Sequence, residues 1–137
     1  MTPTPAAPTV QYASDITIAD VKAMRAFFDQ QVEAPLISQA GQTERRFARA
    51  LERAAWPHFY AAEKVFDVDD GSAAMLMARR QRWNELCRIL EPWRDTEGYD
   101  PARWREVTFD DAQQAADQAA YAAKQKAESA AYYRDRL

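Results

Sequence analysis

A single cysteine, Cys87, stands in the 137-residue chain, so no disulfide can close within it and a zinc site with several sulfur ligands is excluded. His58 is equally solitary, which removes a multi-imidazole metal site as well. The three glycines, Gly41, Gly71 and Gly98, are isolated from one another, and without a glycine-rich turn neither a P-loop nor a dinucleotide-binding turn is built. No apolar run approaches the roughly 20 residues that a membrane-spanning helix needs. The N-terminus lacks the charged, apolar and small-residue layout of a secretory signal, and the lone thiol suits a reducing compartment, so a cytoplasmic location is expected. Eighteen basic and 21 acidic residues leave a net charge of -3, which supplies no overall pull toward nucleic acid.

Also scarce are β-branched residues in alternation with polar ones, so no stretch reads as a strand. Four of the seven prolines (Pro3, Pro5, Pro8 and Pro35) fall in the first 35 residues, leaving long stretches free of helix breakers. The expected fold is therefore all-α. Sixteen aromatics, 12% of the chain, are the expected core, because alanine supplies much of the 47% apolar content. One domain is expected at this length. It divides into an extended Pro-rich tail (1–14), a helical core (15–107) and a long C-terminal helix (108–137).

In the core, Thr17 and Asp20 form a capping pattern for a first helix. Ile18, Val21, Met24, Phe28 and Val32 give it one apolar face, and it is expected to end before Pro35. Thr43 caps a second helix with Phe47, Leu51 and Ala54 turned inward, and the Trp56-Pro57 step is expected to break it, with Pro57 starting a new helix that carries Phe59, Ala62 and Phe66. Asp67, Asp69, Asp70 and Gly71 form an acidic turn. Ser72 caps a third helix whose stripe is Leu76, Trp83, Leu86, Cys87 and Leu90. An irregular connector with one helical turn at Asp100-Pro101 follows. Thr108 and Asp111 repeat the capping pattern before an alanine-rich helix over 109–134, which would be about 39 Å long.

The acidic turn does not carry a calcium loop. With Gly71 as the loop glycine, Phe66 and Val68 occupy the first two ligand positions and Met77 the place of the bidentate glutamate. A Cys-His nucleophilic pair needs contact and a third orienting group, whereas Cys87 falls on an apolar stripe and His58 in an exposed turn. None of the carboxylates is marked by an apolar sequence environment that would raise its pKa. No catalytic residue, metal or cofactor is assigned.

What remains is contact surface. Arg45, Arg46, Arg49 and Arg53 cover one side of the second helix and, with Arg79, Arg80 and Arg82, could line an anionic partner, either an acidic protein surface or a nucleic-acid backbone. The interleaved Glu44, Glu52 and Glu85 weigh against this and toward ordinary solvated helix faces, with a protein partner ahead of nucleic acid where there is one. Trp93, Tyr99 and Trp104 in the connector have the composition of an interface hot spot, or close the bottom of the core. Ala112, Ala116, Ala119, Ala123, Ala127 and Ala130 form a seam of methyl groups that permits close approach of another helix, in the same chain or another. The expectation is a non-enzymatic structural or adaptor subunit of a larger assembly, such as a phage particle connector or an accessory subunit of an enzyme complex. The alternative is a monomeric inhibitor or immunity-type protein that blocks one target through its charged surface.

Overall fold

The computed structural model describes residues 9–37, 41–68 and 71–136. The first eight residues of the Pro-rich tail, positions 38–40 and the Asp69-Asp70 step of the acidic turn lie outside the described residues. The fold is an all-α small helical bundle built from α1 (Ile18–Ile37), α2 (Gln42–Asp67) and α3 (Ala73–Leu90), followed by α4 (Ala112–Arg134). Among the described residues the only strand-like pairing is an isolated parallel bridge between Tyr12 and Phe109.

Helix α1 starts where the capping pattern places it. The Asp20 carboxylate accepts from the Thr17 N–H at 2.8 Å and from its hydroxyl at 3.1 Å, while the Asp20 N–H reaches back to that hydroxyl at 3.4 Å. Val21, Met24, Phe28 and Val32 are buried as the spacing implies, and Phe27 joins them. The helix does not stop before Pro35 but includes it in its last turn. There the missing N–H and the ring disturb a ladder that ends two residues later.

Helix α2 departs further from expectation. It is continuous through Pro57, begins at Gln42 with Gly41 as its cap, and holds Thr43 in its first turn. A proline inside a helix costs about 3 kcal/mol because the carbonyl four residues back loses its donor. Here that carbonyl belongs to exposed Arg53, open to water, while Ala55, Phe59, Ala62 and Phe66 anchor both sides of the step in the core. The inward face is also rotated from the expected one. Phe47 is 72% exposed, and Leu51 and Ala54 are exposed with it. The reason is overhang. Contacts Arg25–Glu63 and Phe28–Phe59 set α1 antiparallel to α2, and His58–Glu85 and Phe66–Trp83 do the same for α3. In that register the end of α3 at Leu90 falls beside the middle of α2, so the first turns of α2 run on past it.

Ser72 caps α3 by accepting from the Met75 N–H at 3.1 Å, and Trp83, Leu86, Cys87 and Leu90 are buried as the stripe implies. Arg79 closes the other end of the neighbouring helix: its guanidinium donates to the carbonyls of Val65 (3.0 Å) and Val68.

The connector from 91 to 111 folds back over the bundle. Gly98 turns it with φ of 94°, and the Phe27 ring lies 3.6 Å from the place a Cβ would occupy. Asp100 starts the expected helical turn, accepting from the Arg103 N–H at 3.1 Å. The Trp83 indole N–H donates to the Arg105 carbonyl at 2.8 Å. Asn84, 9% exposed, gives its amide N–H to the Val107 carbonyl (3.0 Å) and accepts the Val107 N–H (2.9 Å), pairing both backbone groups of a residue that is itself buried. The segment from Thr9 to Asp15 lies along this connector through Val10 N–H to Ala102 O, Ala13 N–H to Phe109 O and Ser14 N–H to Asp110 O. Val10 and Ala13 enter the core.

Arg103 locks the arrangement. Its fork binds both oxygens of Asp20, at 3.0 and 2.5 Å, and donates to the Asp15 carbonyl at 3.0 Å. Both side chains are nearly buried, 11% and 13% exposed. Burial by itself would push the Asp20 carboxyl up, but the Arg103 hydrogen bond and the Thr17 N–H outweigh it and hold Asp20 below its ordinary value of 3.8.

Two outcomes are expected. A carboxylate whose folded pKa is depressed stabilises the fold above its unfolded value and loses that contribution as the pH falls through the folded one. Asp20→Asn should therefore lower the unfolding free energy by about 3 kcal/mol at neutral pH. In urea titrations the variant and the parent should converge as the pH is taken below 3.8. Asn84→Ala should cost about 3 kcal/mol, because two buried backbone groups of Val107 lose their partners. The Val107 amide should then exchange with solvent faster than its neighbours.

Candidate interaction surfaces

The outer side of α2 carries the first surface. Arg45, Arg49, Arg53, Trp56 and Tyr60 recur at steps of four and three residues, which stacks them along one side of a helix, and Arg46 stands beside them. All six are exposed because Ala48, Ala55, Phe59 and Ala62 take the core face. Trp56 and Tyr60 stack with centroids 5.1 Å apart and planes 10° from parallel, and the Lys64 ammonium sits 4.5 Å from the Tyr60 ring. Among the described residues Arg46, Arg49 and Arg53 make no ion pair. The aromatic pair was not singled out in the sequence, although its i, i+4 spacing beside Arg49 and Arg53 was available.

The arginines of α3 do not extend this surface. Arg79 is spent on the end of α2, Arg80 binds Asp110 at 2.6 Å, and Arg82 lies 3.4 Å from Glu85. They act within the molecule.

The connector aromatics close the core. Trp104 is 6% exposed, and Trp93 and Tyr99 are half-buried against the same cluster. Trp104 and Tyr99 meet Phe27 edge-on at 5.2 and 5.9 Å and each other at 5.2 Å, while Trp93 meets Phe28 at 6.0 Å. The Tyr99 hydroxyl donates to the Trp104 carbonyl at 3.2 Å. Arg103, the neighbour of Trp104 in the chain, is the nearly buried partner of Asp20.

The second surface is α4. Its cap is Asp111, whose carboxylate accepts from the Gln114 N–H at 2.8 Å, while the Gln114 side chain accepts from the Asp110 N–H at 2.6 Å. Thr108 and Phe109 precede the helix, because Phe109 is held in the bridge to Tyr12. The helix has 23 residues and is about 35 Å long. None is buried, and α4 packs against none of the other three helices. A hollow of about 370 Å³, lined by Gly71, Leu76, Asp111 and Gln114 among others, separates its first turns from the start of α3. Ala112, Ala116, Ala119, Ala123, Ala127 and Ala130 are all exposed, as are Tyr121, Tyr132 and Tyr133. Its side-chain contacts are internal: Gln113 to Asp117, Gln125 to Tyr121, and Arg136 over the Tyr132 ring.

A cleft of about 200 Å³ opens between α1 and α2, with Asp29, Glu33 and Glu52 at its rim, Arg25 beside them and Phe28, Val32 and Phe59 below. Burial here raises the Asp29 carboxyl, and Glu52 and Glu63 add to it against the pull of Arg25. The sequence marks no carboxylate by an apolar surrounding, whereas the structure supplies one at Asp29. The apolar floor comes partly from α2, which the neighbours of Asp29 in sequence do not reveal. Among the described residues no group of three or more His, Cys, Asp or Glu is placed to hold a metal ion, and no helix is long and apolar enough to cross a membrane. His58 faces Glu85 at 3.3 Å, and Cys87 is 5% exposed with its thiol pushed up to about 12 by burial and by Glu106. No protein-family model, curated protein or solved structure matches the chain.

The thiol gives a direct check on core integrity. Buried and protonated, Cys87 should react with a disulfide reagent about 100-fold more slowly in the folded chain than in urea. Fast labelling of the native protein would show that α3 does not seat as described.

Proposed function

We propose that this chain is a non-enzymatic adaptor or structural subunit that acts through protein–protein contacts, with α4 as the contacting element. The observation that carries this reading is a 23-residue helix rooted firmly in the bundle and covered by none of it. In proteins most helical stability comes from packing one face against a neighbour rather than from propensity. Ten of the 23 residues are alanine, so intrinsic propensity compensates in part for the missing cover. The same methyl groups let a partner helix approach closely, and three exposed tyrosines supply larger, amphipathic contact area.

A second reading, an inhibitor that blocks one target, is favoured by the α2 stripe, where exposed arginines flank the Trp56–Tyr60 stack. Arginine and exposed aromatics are the residue types enriched at binding hot spots.

The lysines separate the two. Lys124 and Lys126 lie on α4, Lys64 on the α2 stripe and Lys22 on α1. Lysine-reactive cross-linking in the cell that makes the protein, read by mass spectrometry, should give intermolecular links concentrated at Lys124 and Lys126. Links from Lys64 without those from α4 would replace this reading with the inhibitor, and an absence of intermolecular links would remove both.

A further inference from the structure

The geometry points to a second copy of this chain as the partner of α4, docked antiparallel about a twofold axis through Ala123; the inference rests on the reading of α4 as a contacting helix. Its basis is the symmetry of the seam. Ala119 and Ala127 lie four residues either side of Ala123, and Ala116 and Ala130 lie seven either side. Such spacing looks the same read in either direction. An antiparallel copy therefore sets Ala123 against itself, Ala116 against Ala130 and Ala119 against Ala127, which is the self-complementarity that a twofold interface demands. Ala123 is also the midpoint of the helix Ala112–Arg134, so the whole length pairs.

Charge selects the same direction. The N-terminal half carries Asp111 at its cap and Asp117, whereas the C-terminal half and its flank carry Lys124, Lys126, Arg134 and Arg136 against Glu128 and the cap residue Asp135. In the antiparallel pair Asp111 faces Asp135 of the second copy with Arg134 and Arg136 one residue's rise to either side, and Asp117 lies one residue's rise from Glu128 and within a turn of Lys126, so the attraction comes from the opposite net charges of the two halves. A parallel pair would oppose Lys124 and Lys126 to themselves. The bundle is attached at the N-terminal end of α4, so antiparallel pairing holds the two bundles at opposite ends of the rod, clear of each other. Methyl side chains allow axes about 8 Å apart, and contact along about 35 Å buries on the order of 1,000 Å² in total. That is the lower end for a stable interface, so dissociation constants in the micromolar range are expected.

The test uses three single substitutions in the full chain: Ala116→Cys, Ala123→Cys and Ala130→Cys. Native Cys87 is buried and stays silent. A disulfide requires Cβ atoms about 4 Å apart, which only facing positions provide. Under mild oxidation Ala123→Cys should form a covalent dimer alone. Ala116→Cys and Ala130→Cys should link efficiently only when mixed with each other. In sedimentation velocity the unmodified chain should move from monomer toward dimer between about 1 and 200 µM, and Ala123→Glu should remain monomeric with an unchanged bundle melting temperature, since α4 covers none of the bundle. Self-linking of Ala116→Cys and of Ala130→Cys as efficient as that of Ala123→Cys would overturn the antiparallel arrangement. A monomer at all concentrations with no disulfide in any variant would exclude the second copy. If such a monomer still cross-linked through Lys124 and Lys126 to a different protein in cells, the adaptor reading would stand and the self-pairing alone would fall.

Discussion

The fork of Arg103 on Asp20 is the interaction on which the architecture turns, because it joins three parts of the chain that share no helix. Asp20 lies in the first turn of α1 and already caps it through Thr17. Arg103 comes from the connector, and its Nη2, which binds Asp20, also donates to the carbonyl of Asp15 in the N-terminal segment. Two nearly buried charges in this geometry are mutually dependent: the attraction offsets desolvation only while both remain, and removing either strands the other. One carboxylate thus fixes where α1 starts, where the connector lies and where the N-terminal segment docks.

Once the connector is seated, the rest of its polar groups find partners on α3. Trp83 and Asn84 take the backbone of Arg105 and Val107, Arg88 takes Glu106 at 2.9 Å, and Arg80 takes Asp110. The outcome is a rigid root for α4. Its cap, Asp111, follows directly on the residue bound by Arg80, so the direction in which the helix leaves is set by the bundle even though none of its residues is buried and it packs against none of the other three helices. A rod with a defined origin and an uncovered length is a geometry suited to contact with another chain.

Helix α2 shows how packing decides between two faces of similar composition. Its core face follows α1 and α3 for as long as they last, and where α3 stops the apolar residues Phe47 and Leu51 are left outside. The opposite side keeps its arginines in water and adds the Trp56–Tyr60 stack. This helix therefore offers two exposed regions for different reasons, one because a neighbour is too short and one because the helix turns that side outward throughout.

Much of the fold was legible in the residues. Apolar spacing located α1 and α3 and their buried faces. Whether Pro57 breaks α2 was not legible, because the answer depends on core contacts that anchor both sides of it. The same holds for Phe47 and Leu51, which look inward by period and lie outside because α3 ends at Leu90, and for Asp29, whose apolar surroundings come partly from another helix. The arginine, tryptophan and tyrosine candidates were nameable from composition. Only the tertiary structure sorted them, spending Arg79, Arg80 and Arg103 inside the molecule, turning Trp104 into the core and leaving Arg46, Arg49, Arg53 and the alanine seam free, because long-range pairing is settled by which distant groups meet and no local pattern records it.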